Sequence, residues 1–176
     1  MHSLDAFDVA RLALMALVLL LIGLYFAMTA GRLDRLHIRY DAAITSLDLQ
    51  FAQRAETIAE MVAEGFIDPV SAQLLGRALA ARRFAQPGNL TAESELSALL
   101  REVVDAHEGV VAPADLQQEL RSACNRVEFA YRFLNEAAET TLAMRNRPWI
   151  KRLGLAGHTA FPSPIRCDVR APEFAP

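Results

Sequence analysis

Lysine is nearly missing from this sequence: of its eighteen basic residues, only Lys151 is a lysine. Arginine takes its place, and with the abundant alanine this reads first as a coding bias toward GC-rich codons. Cysteine is equally scarce. Cys124 and Cys167 are the only two, which excludes a disulfide framework. Cys124 falls within an apolar helical pattern, where a thiol packs as a small hydrophobe, and Cys167 lies near the end of the chain. They would stay reduced in a cytoplasmic domain and could pair only in an exported one. Paired-cysteine metal motifs, a phosphate-binding glycine loop and a nucleophile elbow are absent, and His107-Glu108 lacks the second histidine of a zinc-protease motif. No catalytic, cofactor-binding or metal-binding residue is assigned. A net charge of -3 and a pI near 5.8 give no global electrostatic reason to expect nucleic acid as a partner.

Charge is absent from the nineteen residues Leu12 to Ala30, which as a helix would span about 28 Å, close to the hydrocarbon thickness of a bilayer. This predicts a membrane anchor. A cleaved signal peptide would need a basic leader, a shorter apolar run and small residues at the cut. Here Asp5 and Asp8 offset Arg11, and a cut after Ala30 would place Met28 where a small side chain is needed. No cysteine directly follows the run, so a lipoprotein is excluded. Arg11 precedes the run and Arg32, Arg35 and Arg39 follow it, which favours residues 1–11 outside and the remainder inside. The predicted organisation is a short segment 1–11, a transmembrane helix 12–31, a helical domain 32–147 and a basic, proline-containing tail 148–176.

Proline is also absent before Pro69. Leu33, Leu36, Tyr40, Ile44, Leu47, Phe51, Ile58 and Val62 recur at helical spacing, one apolar face of a helix that continues the anchor. It should stop between Gly65 and Pro69. A second helix is predicted from Pro69 to about Ala85, with Asp68 as N-cap. Pro87-Gly88 reverses the chain, and Thr91 caps a third helix reaching about His107. Asn89-Leu90-Thr91, a glycosylation pattern, is read as part of that cap. The fourth helix runs between Pro113 and Pro148, with Leu116, Leu120, Ala123, Val127, Ala130, Leu134, Ala137, Thr141 and Met144 forming a heptad seam.

Two long and two half-length helices joined by short connections predict an all-α fold in which the transmembrane helix continues into an antiparallel bundle. Four helices would meet away from the membrane and only the first and fourth beside it. The sparsely covered faces at Leu36, Tyr40, Ile44, Leu134 and Met144 would then need a partner, which could be the tail, a second copy or another membrane protein. The same geometry returns the end of the fourth helix to the bilayer. Arg145, Arg147, Trp149, Lys151 and Arg152 would join Arg32, Arg35 and Arg39 at the lipid interface, or the basic group would simply complement the helix dipole. Asp34, Asp41 and Asp48 form an acidic stripe, either paired with arginines such as Arg126 and Arg132 or solvated.

Two segments resemble the LemA family of bacterial membrane-anchored helical proteins. One is Ala43-Ile44-Thr45-Ser46-Leu47-Asp48-Leu49-Gln50-Phe51, ending at Arg54. The other is Leu116 to Ala137, with Glu119-Leu120, Asn125-Arg126-Val127 and Asn135 at matching intervals. Pro148, the basic glycine-containing stretch after it and Phe161-Pro162 are in the same style. The chain departs from the family pattern at Ile44, where tryptophan is usual, at Leu134, where tyrosine is usual, and throughout Pro69 to Ala112. The resemblance implies a LemA-like four-helix arrangement in the bacterial inner membrane, a small outside N-terminus and no established enzymatic activity.

The expected function is a non-enzymatic scaffold or accessory subunit that contacts the lipid bilayer and docks on another membrane protein or on itself. A signal-transmitting sensor and an enzyme with an unrecognised pocket are the alternatives.

Overall fold

A computed structural model describes residues 6–84, 90–106, 112–148, 150 and 164–172. All regular structure among them is helical, in four helices. The anchor and the first amphipathic stretch form one helix, α1 (Ala6–Ala63), of 58 residues. Gly23 and Gly31 lie within it, each with open space where a Cβ would stand. Its N-terminal part is long and apolar enough to cross a membrane, and only 6% of the most apolar window is buried inside the molecule. Leu19 and Leu20 are 69% and 67% exposed. Leucines so uncovered over several turns do not belong to the core helix of a water-soluble domain.

The helix ends are set by local chemistry. After α1 the chain turns at Gly65, with φ +75°, a conformation in which a Cβ would crowd the backbone. The Phe66 amide donates to the Met61 carbonyl (3.1 Å) and the Gly65 amide to the Val62 carbonyl (3.3 Å), the paired bonds of a Schellman cap. Asp68 then caps α2 (Pro69–Phe84), its Oδ1 accepting from the amides of Val70 and Ser71, both at 3.0 Å. Hydrogen bonds from Ser71 hold the Asp68 carboxyl below its usual range. Helix α3 (Leu90–Asp105) starts at Leu90, so Thr91 lies in its first turn and not at the cap. Helix α4 (Ala114–Arg145) follows Pro113 and ends before Pro148, with the 32 residues the proline spacing predicts. The predicted reversal at Pro87-Gly88 and the terminus at His107-Glu108 lie outside the described residues.

Two apolar cores result. The first draws on all four helices, with Ile58 and Met61 of α1, Leu75 of α2, Leu96 and Leu100 of α3, and Leu120 and Cys124 of α4. The second lies on the anchor side. There α1 supplies Ala43, Leu47 and Phe51 and α4 supplies Val127 and Leu134, while Val169 comes from the C-terminal segment and Leu90 of α3 lies at its edge. Tyr40 and Ile44 of α1 pack on this core together with Ile165 and Cys167. Of the partners envisaged for the thinly covered stretch, the tail therefore occupies part of it.

The seam on α4 drifts. Near its start Leu120, Ala123 and Val127 are buried on the heptad with Cys124 beside them, and by its end Ala138 and Arg145 are buried beside Ala137 and Thr141, while Met144 is half-buried. A straight helix repeats at about 3.6 residues per turn and a heptad at 3.5, so a fixed seam slips sideways over several turns.

Candidate membrane-proximal site

Where α1 leaves its apolar run, it and the end of α4 enclose an open concavity of about 760 Å³. Arg32, Arg35 and Arg39 enter it from α1 and Arg147 from just past α4, with Leu36 and Met144 as apolar walls. Thr140 and Ala143 complete the lining. Residues predicted separately for lipid contact and for partner contact therefore share one hollow. The Arg35 Nε donates to the Gly31 carbonyl at 3.0 Å, one turn back. The Arg39 guanidinium lies 5.0 Å from the centroid of the Phe133 ring, a cation–π arrangement worth about 0.5–1 kcal/mol at an exposed site. Among the described residues no carboxylate forms an ion pair with Arg32, Arg35, Arg39 or Arg147.

Two of the expected site residues are corrected. Leu134 is 1% exposed and belongs to the second core, so it is unavailable to an outside partner. Arg145 is 3% exposed and does not lie on a lipid-facing surface. The cause is the drift of the seam, which brings Arg145 onto the face of Leu134, Ala138 and Thr141 at steps of four, three and four. Ile150 is fully buried just after Pro148, its amide donating to the Arg147 carbonyl at 3.0 Å. Trp149, Lys151 and Arg152 lie outside the described residues.

The large apolar side chains exposed on this part of the molecule are ones the sequence reading did not single out. Ile38 and Leu49 of α1 are 60% and 54% exposed, and Phe129 and Phe133 of α4 are 69% and 41% exposed. Ile38 and Leu49 are eleven residues apart, three turns along one face, and the two phenylalanines are one turn apart. The signal was present as apolar residues lying off the main stripe. A periodicity argument discards such residues because it searches for the buried face.

A second polar cluster lies inside the four-helix region. Arg54 is 1% exposed. Its Nη2 donates to Glu93 Oε2 at 3.1 Å and its Nη1 to Ser97 Oγ at 2.9 Å, while its guanidinium lies 5.5 Å from the Phe51 ring centroid. Glu93 also accepts from Arg82 Nε through its other oxygen, and Ser97 Oγ donates to the Glu93 carbonyl at 2.8 Å. Arg54 Nε is buried without a hydrogen-bond partner among the described residues. Glu93 thus shares its carboxylate between two guanidiniums. The sequence held one hint: the apolar stripe on the first helix jumps from Phe51 to Ile58, and Arg54 sits in the gap.

The C-terminal segment docks on the other side of the second core. Asn135 brackets Ile165, its Oδ1 accepting from the Ile165 amide (2.9 Å) and its Nδ2 donating to the Ile165 carbonyl (3.3 Å). Tyr131 Oη donates to that same carbonyl at 2.8 Å. The Asp168 carboxylate receives both terminal nitrogens of Arg101, at 3.0 and 2.6 Å, and Arg170 joins it at 3.2 Å. Hydrogen bonds from Arg170 and then Arg101 hold the Asp168 carboxyl far below its ordinary value. Cys167 Sγ lies 3.2 Å from Ser94 Oγ. Burial pushes the Cys167 thiol up and raises that of Cys124 to about 11. Both thiols are free. Asp34, Asp41 and Asp48 are exposed. The α4 arginines named as their possible partners turn elsewhere, Arg126 to Gln50 at 3.1 Å and Arg132 to Glu128.

Among the described residues no group of histidine, cysteine, aspartate and glutamate is placed to hold a metal ion. Comparison of the chain with protein-family models, curated proteins and solved structures finds no match.

Proposed function

We propose that this chain is a non-enzymatic, membrane-anchored helical scaffold or accessory subunit that docks on a protein in the same membrane, a second copy included. The observation that carries the proposal is the exposure of Ile38, Leu49, Phe129 and Phe133 on the stretch between the anchor and the four-helix core. Large aromatic or aliphatic side chains left uncovered at neighbouring positions of one helix face, as Phe129 and Phe133 are on α4, mark surfaces that other proteins cover. An antiparallel bundle is supported by the pairing of positions along α1 and α4: Gln50 with Arg126, Arg39 with Phe133, and Arg32 with Arg147 in one concavity. The resemblance to LemA proteins in 43–54 and 116–137 agrees with that arrangement and with the bacterial inner membrane as its location. Arg11 alone precedes the span, whereas Arg32, Arg35, Arg39 and Arg147 follow it, and this bias favours a cytoplasmic bundle with residues 1–11 outside.

The test is a photocrosslinking amino acid at Phe129 or Phe133 of the full chain in intact membranes. The expected result is a discrete protein adduct that competes away when the chain without the crosslinker is overproduced. Absence of any protein adduct from both positions refutes the proposal.

A further inference from the structure

We infer that the concavity between α1 and the end of α4 is a binding site for the phosphate of an anionic phospholipid headgroup, held by Arg32, Arg35 and Arg147. The inference rests on the reading of α1 as a membrane span and goes beyond it by assigning a ligand to a defined hollow.

Height along α1 carries the first step. Counting from Ala30, where the uncharged run ends, Arg32 stands about 3 Å and Arg35 about 7 Å further along the axis. The headgroup layer occupies roughly the 5–7 Å beyond the hydrocarbon on each side. The two guanidiniums therefore sit at the level of lipid phosphates, and Arg147 faces them across the same hollow of about 760 Å³.

Charge carries the second step. No carboxylate pairs with these three side chains among the described residues. Among the described residues only one Arg35 side-chain nitrogen is engaged by the protein, Nε in the bond to the Gly31 carbonyl. Guanidinium offers phosphate paired, parallel donors, which ammonium does not. Arg39 is a different case. It stacks on Phe133 and lines a smaller neighbouring recess with Glu136, so it closes the hollow on the side away from the bilayer. Leu36 and Met144, both half-buried, give the hollow apolar walls beside the charges, where lower polarity strengthens a charge pairing.

The experiment uses the full chain in mild detergent, titrated with phosphatidylglycerol or phosphatidylcholine and read by native mass spectrometry as lipid retained per chain. One phosphatidylglycerol should be retained in preference to phosphatidylcholine. Arg35→Gln and Arg147→Gln should each weaken retention about fivefold, and together about thirtyfold. Arg147→Lys should keep more of it than Arg147→Gln, and Arg126→Gln, away from the hollow, should leave it unchanged. Circular dichroism of each variant verifies that helix content is intact. Equal retention of the two lipids, or an equal loss in Arg126→Gln, overturns the inference. Displacement of phosphatidylglycerol by stoichiometric inorganic phosphate overturns it in favour of a free-phosphate site. Alkaline carbonate extraction tests the span separately. A chain released by carbonate fails at the anchor, whereas a chain retained without lipid preference fails at the hollow and leaves the crosslinking result untouched.

Discussion

Replacing Glu93 by glutamine keeps the shape of the buried cluster and removes one charge. In the native protein Arg54 and Glu93 are 2% and 8% exposed at the side chain, too dry for water to compensate a lone guanidinium. Arg82, at 21%, regains solvent more readily, so the loss falls mainly on Arg54. Breaking a buried pair from one side costs about 3–5 kcal/mol. For a domain of this size, each kcal/mol lowers the melting temperature by about 2–4 °C, so Glu93→Gln should melt roughly 10 °C below the parent. Arg54→Met should cost less, because Glu93 keeps Arg82. The double variant Arg54→Met/Glu93→Leu should recover most of the loss, since replacing a buried ion pair by apolar residues of similar volume is often neutral or stabilising. The assay is thermal unfolding in one detergent, followed by circular dichroism, of Glu93→Gln and of a double-mutant cycle made of the parent, Arg54→Met, Glu93→Leu and Arg54→Met/Glu93→Leu. If Glu93→Gln melts within 1–2 °C of the parent, or the two single losses simply add, Arg54 is not held by Glu93 and the reasoning is wrong.

Other expectations concern the C-terminal segment and the turns. The Asp168 carboxyl titrates below its ordinary value of 3.8 when docked, so its contribution is complete above about pH 4 and fades as pH falls further. The protection factor of the Asp168 amide, that is its exchange relative to the intrinsic rate at each pH, should be constant between pH 5 and 8 and should fall only below about pH 4. Asn135→Ala removes both bonds to the Ile165 backbone and should cost about 1–3 kcal/mol, read as earlier release of the segment in urea. Gly65→Ala meets no atom within 4 Å but must adopt φ +75°. It should lower stability by about 1 kcal/mol through backbone strain alone, measurable as a reduced urea midpoint. Cys124, with its thiol raised to about 11 and 1% exposed, should resist iodoacetamide at pH 8 until the chain is unfolded.

Helix limits were legible because proline and glycine act locally: Gly65, Pro69, Pro113 and Pro148 each mark a boundary within a few residues of its structural position. The uncharged run likewise declared itself through length alone. The interior was less legible wherever chemistry departed from periodicity. Arg54 interrupts an apolar stripe, and nothing local to it reveals that Glu93, thirty-nine residues on, arrives to neutralise it. The docked segment 164–172 has no regular secondary structure and carries no helical period, so its grip on Asn135 and Tyr131 has no one-dimensional signature. The arginines of α1 that line the hollow are legible from charge alone, whereas their shared lining with Arg147 is not. Arg145 was misplaced because a strict heptad was extended through more than eight turns, and Leu134 because the second core was thought open on the side where the tail lies.

The unbroken course of α1 from Ala6 to Ala63 ties the azimuth of its apolar run to that of the helices packed on its other half. Inserting one residue between Gly31 and the second core would turn the Phe129–Phe133 face by about 100° about the axis and lift it about 1.5 Å from the bilayer, while seven would restore its bearing to within about 20° and raise it by about 10 Å. Insertions of graded length thus convert this helix into a protractor. A partner seated on that face would be lost and regained with helical periodicity.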